Sequence, residues 1–444
     1  MDAKFEQRPP GKGWAIAALI TGIFLLASGI AAAGGYLRFR LFEFFGADML
    51  VTELSIVGGA ALGLVGGGLA LGHGWNSLRG APSKPLRLPR WYFFYIVFAL
   101  VLAMGTALLV GQDSSQLDDY TVRLLFPALF VLGASLPVFA ALAFAFRRLD
   151  APLTWRQGAL MFVSGGTLSI IVTFLLGSVL PYIFYLLIEP LAYLSEEMLE
   201  IFNPGGPEFF QRLFYSPLLI FYLLYIAFQA PFPEEFAKAL GPAWMGRRIT
   251  SERMAFALGL ASGAGFAVVE NLRYQGLFAQ FYGWSWGGIT ALRGIGALDH
   301  ALWTAIIALA LYRERARAAG WLGRVGRAYL LSVGLHTLWN GGYLALLYLV
   351  GLDHLAGAGP SFDVYGEYIE VSLIIILVAM TLFNWWILSR YLKRLGGGDS
   401  PEPMSRPVSP RAVAVWAFAS VLIIVPVGAA LGQAWDAIRM AVGF

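Results

Sequence analysis

The chain has no cysteine in its 444 residues. That excludes disulfides, thiolate metal sites and cysteine nucleophiles. Charge is also scarce. Only 13% of residues are Asp, Glu, Lys or Arg, about half the share a soluble domain carries. Histidine is limited to four residues, so a bound metal would draw on imidazole and carboxylate ligands, a set that suits zinc better than thiophilic metals. The net charge of +4 carries no nucleic-acid signal, because the basic residues sit in short loops between apolar stretches and set orientation there.

What the chain has instead is apolar surface. Hydrophobic residues make up 58% of it, and the mean hydropathy is +0.69. This composition describes a membrane protein. A span needs roughly 20 apolar residues, and about eleven stretches meet that length, near 14–34, 50–71, 92–111, 123–146, 159–181, 210–230, 254–274, 288–312, 328–350, 367–390 and 412–433. The expected fold is therefore all-α, a polytopic transmembrane helix bundle. The first apolar run is long enough to stay as an anchor, so no cleavable signal peptide is expected.

Every second loop is basic. Lys4, Arg8 and Lys12 precede the first stretch, and further clusters lie at 79–90, 147–156, 247–253, 313–327 and 390–394. The alternate loops are mostly acidic or nearly neutral; the first of them is mixed, with Arg38 and Arg40 against Glu43 and Asp48. The positive-inside rule then places the N-terminus in the cytoplasm. Three regions follow: residues 1–205 with five spans and no recognised motif, 206–350 with the polar motifs, and 351–444 with the last spans. In the third, the Gly, Pro and Ser residues of 396–410 predict a mobile loop. The acidic stretch 189–208 reads as an outer surface cap. Glycines crowd the second stretch (Gly58, Gly59, Gly63, Gly66, Gly67, Gly68) and the seventh (Gly259, Gly263, Gly265), as close helix packing requires.

Four polar constellations interrupt the apolar background, and ionisable residues at bilayer depth mark function by default. In the first, Pro231-Phe232-Pro233 restarts a helix whose positive end suits Glu234 and Glu235. Lys238 stands four and three residues further on and can face only one of them well. That pairing would hold one carboxylate ionised and leave its neighbour free. The bland alternative is a solvated helix start. In the second, Phe266, Glu270 and Tyr274 share a helix face, with Asn271 beside them; a buried Glu270 needs a partner, such as Arg273 or a polar group on another helix. The third is His300 in the middle of the eighth stretch. Asp299 before it makes no dyad with it, because adjacent residues point about 100° apart on a helix. Arg293 lies one to two turns earlier. In the fourth, His336 and Asn340 lie one turn apart on one face, a geometry for an oxyanion clamp or for a metal ligand with an amide beside it. Packing between helices is the alternative for each. The remaining histidines, His73 and His354, lie at loop edges and receive no chemistry.

Taken in order, Glu234-Glu235-x-x-Lys238, Phe266-x-x-x-Glu270-Asn271, His300 and His336-x-x-x-Asn340 resemble the motifs of the PrsW family of intramembrane proteases, itself similar to the CAAX prenyl endopeptidases and the Abi membrane proteins. The relatives usually carry His where this chain has Glu270. The resemblance covers about residues 210–350. It implies peptide-bond hydrolysis in or beside the membrane, membrane-anchored protein substrates such as anti-sigma factors, and a multi-pass position in a prokaryotic plasma membrane. It implies catalytic roles for Glu234, Glu235, Glu270, His300, His336 and Asn340, with Lys238, Phe266 and Asn271 in support. Two mechanisms fit. Zinc could be held by His300, His336 and a glutamate such as Glu270, with another glutamate polarising the water. Alternatively Glu234 or Glu235 is a metal-free general base. A proton-coupled transporter or a non-catalytic scaffold remain as other classes; no inverted repeat supports the first.

One expectation is demanding. Counted from the basic loops, Glu270 lies about 25 Å up its helix and His336 only about 13 Å up its own, at 1.5 Å per residue. An upright bundle would keep them apart. A single site requires Glu270 beside His300.

Overall fold

A computed structural model describes residues 12–41, 50–114, 116–117, 119–150, 153–177, 227–245, 249–279, 283–314, 321–356 and 365–396. These residues fold as helices: α1 (Lys12–Leu41), α2 (Leu50–Leu78), α3 (Trp91–Asp113), α4 (Asp119–Leu149), α5 (Trp155–Ser164), α6 (Pro231–Met245), α7 (Glu252–Phe278), α8 (Gly283–Ile295), α9 (Asp299–Glu314), α10 (Trp321–Ala356) and α11 (Tyr365–Gly396). α5 runs on into a π-helical turn, Gly165–Ser169.

Among the described residues, eight helices are long and apolar enough to cross a membrane. They correspond to eight of the eleven expected stretches. The stretch near 328–350 lies within α10, whose described part is less apolar because it carries Arg324, Arg327, Ser332, His336 and Asn340. The stretch near 412–433, nearly all of that near 210–230, the acidic segment 189–208 and the loop beyond Gly396 lie outside the described residues.

The axis of the bundle is α7. Of its span, 94% is buried, against 22% for the spans in α1, α3 and α11. It is packed by α9, α4, α5, α6 and α8, so its side chains meet protein rather than lipid. Ser251 caps its start, accepting from the backbone N–H of Met254 at 3.1 Å, as a serine N-cap should. The glycines of the seventh stretch are close-approach positions. A Cβ at Gly259 would stand 2.5 Å from Ala305 Cα on α9. At Gly263 it would overlap the carbonyl oxygen of His300, and at Gly265 that of Phe162 on α5. Gly63 and Gly67 of α2 bring that helix equally close to α1.

The eighth stretch is not one continuous helix. α8 ends at Ile295, a 3₁₀ turn covers Gly296–Leu298, and α9 starts at Asp299. His300 thus occupies the first turn of a new helix rather than the middle of a long one. A 3₁₀ break inside a long helix commonly marks a functional position. Gly296 opens room for Trp339, whose ring would lie 2.6 Å from a Cβ there.

α6 follows its sequence signals: prolines in the first turn, then Glu234 and Glu235. Pro242 inside it has no N–H for the carbonyl of Lys238 four residues earlier. The hydroxyl of Ser262 on α7 donates to that carbonyl instead, at 2.8 Å, and Ser169 donates to the neighbouring Ala237 carbonyl at 3.2 Å. Neighbouring helices commonly satisfy a proline-freed carbonyl in this way. Ser262→Ala is expected to lower stability by about 1 kcal/mol, read as an earlier unfolding midpoint in detergent. An unchanged midpoint would mean that the carbonyl finds another donor.

Candidate active site

Five helices deliver one cluster: Glu234, Glu235 and Lys238 from α6, Phe266, Glu270 and Asn271 from α7, Arg293 from α8, His300 from α9, and His336 from α10. All but Glu234 are at most 7% exposed; Glu234 reaches 9%. The depth problem resolves through helix length. α10 begins at Trp321, so His336 is about 22 Å from its start, while Glu270 is about 27 Å from the start of α7. His300 is about 21 Å from the Glu314 end of α9 on the same scale. The basic segment before His336 is therefore part of the helix, which lifts the imidazole to the level of Glu270. The required contact forms: His300 Nε2 approaches Glu270 Oε2 to 2.5 Å.

Lys238 makes the choice its spacing demanded. It pairs with Glu235 at 2.6 Å, with both side chains fully buried. Glu235 Oε1 also accepts from His336 Nδ1 at 2.8 Å, so this carboxylate binds two partners from two helices. Lys238 Nζ lies 3.0 Å from His300 Nδ1, and its charge faces the ring of Phe266 at 4.6 Å. Glu234 stays outside this network. Its Oε2 stands 3.4 Å from His336 Nε2 and makes no hydrogen bond. The two imidazoles meet edge to face at 4.8 Å between centroids, and Trp303 stacks on His336 at 4.9 Å.

Glu270 finds its partner on another helix, not in Arg273. Arg293 on α8 donates to Glu270 Oε2 at 2.5 Å and to Asn271 Oδ1 at 2.6 Å. Asn271 donates in turn to the carbonyl of Ala134 on α4 at 3.0 Å. Arg293 is the site residue that motif reading passed over. Its place in the same apolar stretch as His300, seven residues before it, was the available signal. Asp299 points away from His300, and its Oδ1 accepts from Asn384 on α11 at 2.9 Å. Asn340 is 4% exposed, and among the described residues no hydrogen bond to its amide is recorded.

One ligand atom each of Glu234, His300 and His336 lie within 4.8 Å of one another. Glu234 Oε2, His300 Nε2 and His336 Nε2 are all buried without a hydrogen-bond partner; Glu270 comes close to His300 Nε2 but without hydrogen-bond alignment. Two imidazoles and a carboxylate are a donor set that fits a zinc-type cation. His336 has the supporting geometry too, since its Nδ1 is held by the Glu235 carboxylate, which leaves Nε2 to face inward. Lys238 carries only donors, so His300 Nδ1 accepts and its ring proton sits on Nε2, facing Glu270 Oε2; a cation at Nε2 would have to displace that proton. Glu270 stands beside this trio, tied to Arg293.

The profile of the PrsW family intramembrane metalloproteases matches residues 154–381, just over half of the chain. The chain belongs to the PrsW family. No match to the chain was found among curated proteins or among solved structures. As a PrsW-family member the protein is a peptidase embedded in a membrane, built on many helical spans. The matched region is wider than the motif stretch 210–350. It takes in α5 and the first half of α11. The packing gives the reason for α5: Gly165 and Gly265 press it backbone to backbone against α7, the helix that carries Glu270.

Proposed function

We propose that this protein hydrolyses peptide bonds of membrane-anchored proteins at the Glu234–His300–His336 cluster, with its N-terminus on the cytoplasmic side. The observation that carries this reading is the convergence of one ligand atom each from Glu234, His300 and His336 within 4.8 Å in a buried setting, in a chain of a peptidase family. Single-span proteins are the substrates that such a site suits, because the cluster is buried among helices of a membrane-embedded bundle.

Glu234 is the carboxylate that handles the proton. It is the most open of the three glutamates and, among the described residues, the one with no Lys or Arg ion pair, so it takes a proton from the attacking water and returns it to the departing amide nitrogen. Glu235 and Lys238 fix His336 and His300 from behind. Asn340, one turn beyond His336 on the same helix face, donates to the oxyanion as the carbonyl is attacked. A zinc-type cation, if bound, would be held by His300 and His336 with Glu234 facing it, and would supply Lewis acidity to the water and the carbonyl.

Metal analysis of the purified full-length protein beside its Glu234→Gln and His336→Ala variants tests the metal part. Stoichiometric zinc, lost in His336→Ala, is the expected result. Full peptide hydrolysis by protein stripped of metal would leave Glu234 as the sole activator of water.

A further inference from the structure

Arg293 is a fully charged side chain at 3% exposure in a membrane-embedded bundle, where an unpaired charge is costly. No motif assigns it. Its guanidinium makes two bonds to consecutive residues of α7, Nη2 to Glu270 and Nε to Asn271. Consecutive residues point about 100° apart on a helix, so one planar fork spanning both fixes the angle of the Glu270 side chain about α7. The fork is itself held. The Tyr274 ring lies 4.8 Å from its carbon and the Tyr343 ring 5.3 Å, contacts that suit a guanidinium better than an ammonium. Asn271 is anchored to the Ala134 carbonyl of α4.

The fork held in this way presents its Nη2 to one oxygen. Glu270 Oε2 accepts from Arg293 and lies 2.5 Å from His300 Nε2. We infer that Arg293 is a positioning residue of the active site, which acts through Glu270 to set the orientation of the His300 imidazole. The inference rests on the proposed role of His300. Arg293 touches neither the water nor the scissile bond. It links α8, α7 and α4 to the first turn of α9 across the 3₁₀ break, where His300 has least support from its own helix.

Four histidines in the whole chain make the test direct. Full-length protein, labelled with ¹⁵N in its histidine side chains and reconstituted in lipid nanodiscs, gives few imidazole signals, and His300→Gln assigns those of His300. Arg293→Met is expected to displace the His300 signals and leave those of His73 and His354 in place. Glu270→Gln should displace the same signals, and the double variant should add nothing beyond Glu270→Gln alone. Arg293→Lys, the gentler change, keeps the charge but cannot span Glu270 and Asn271, so it should move His300 in the same direction by less. In hydrolysis, both Arg293 variants should lower kcat and leave KM near the unmodified value. His300 signals unmoved in folded Arg293→Met or Arg293→Lys, while Glu270→Gln moves them, would overturn the inference. If Glu270→Gln also leaves them unmoved, the Glu270–His300 contact and the site reading built on it fail instead.

Discussion

Glu234→Gln is expected to reduce peptide hydrolysis by about 10²–10⁴-fold, the range for removing a general acid–base group, with little change in stability. The side chain keeps its shape, and the oxygen replaced in function, Oε2, holds no hydrogen bond in the folded protein. Glu235→Gln should behave differently. Its Oε1 accepts from both Lys238 and His336, so neutralising it weakens the buried ion pair within α6 and the contact from α6 to α10, and costs both stability and activity. The measurement is cleavage of a reconstituted membrane-anchored reporter beside an unfolding curve for each variant. An active Glu234→Gln with an inactive but stable Glu235→Gln would move the proton-handling role to Glu235.

The largest stability effect is expected at Lys238. Its ammonium is fully buried, paired to Glu235 and packed on Phe266. Lys238→Met fits the volume but leaves the Glu235 carboxylate with His336 as its only described partner. Breaking a buried pair from one side costs about 3–5 kcal/mol, because the other charge stays behind. Replacing both partners is far milder by the same reasoning. The double variant Lys238→Met/Glu235→Gln should therefore recover most of the lost stability while remaining inactive. Unfolding midpoints of the two single variants and the double variant, in one detergent, check this. A double variant as unstable as the sum of the singles would mean that the pair is not the unit that holds α6 in place.

Much of the candidate cluster is legible in the sequence. The spacing of Glu234, Glu235 and Lys238 stated the choice Lys238 had to make, and helix geometry predicted that Asp299 would turn away from His300. The glycines of α7 announced close packing because a residue without Cβ has few other uses within a buried helix. The partner of Glu270 was not legible. The sequence offers Arg273 or a polar group on another helix; the second holds, as Arg293 from α8, and no local pattern encodes which helix will stand opposite. The depth mismatch between Glu270 and His336 was an artefact of where α10 was taken to begin; arginines near a helix end were read as loop.

Composition and apolar run length by themselves determined an all-helical membrane protein, because a bilayer leaves the backbone few ways to satisfy its hydrogen bonds. Motif order determined the family. The tertiary structure alone decided that Lys238 commits Glu235, which leaves Glu234 as the free carboxylate, and that the eighth stretch breaks to start α9 at His300. Those outcomes depend on distances between helices far apart in sequence, and such distances follow from how side chains and glycines pack rather than from any one segment's pattern.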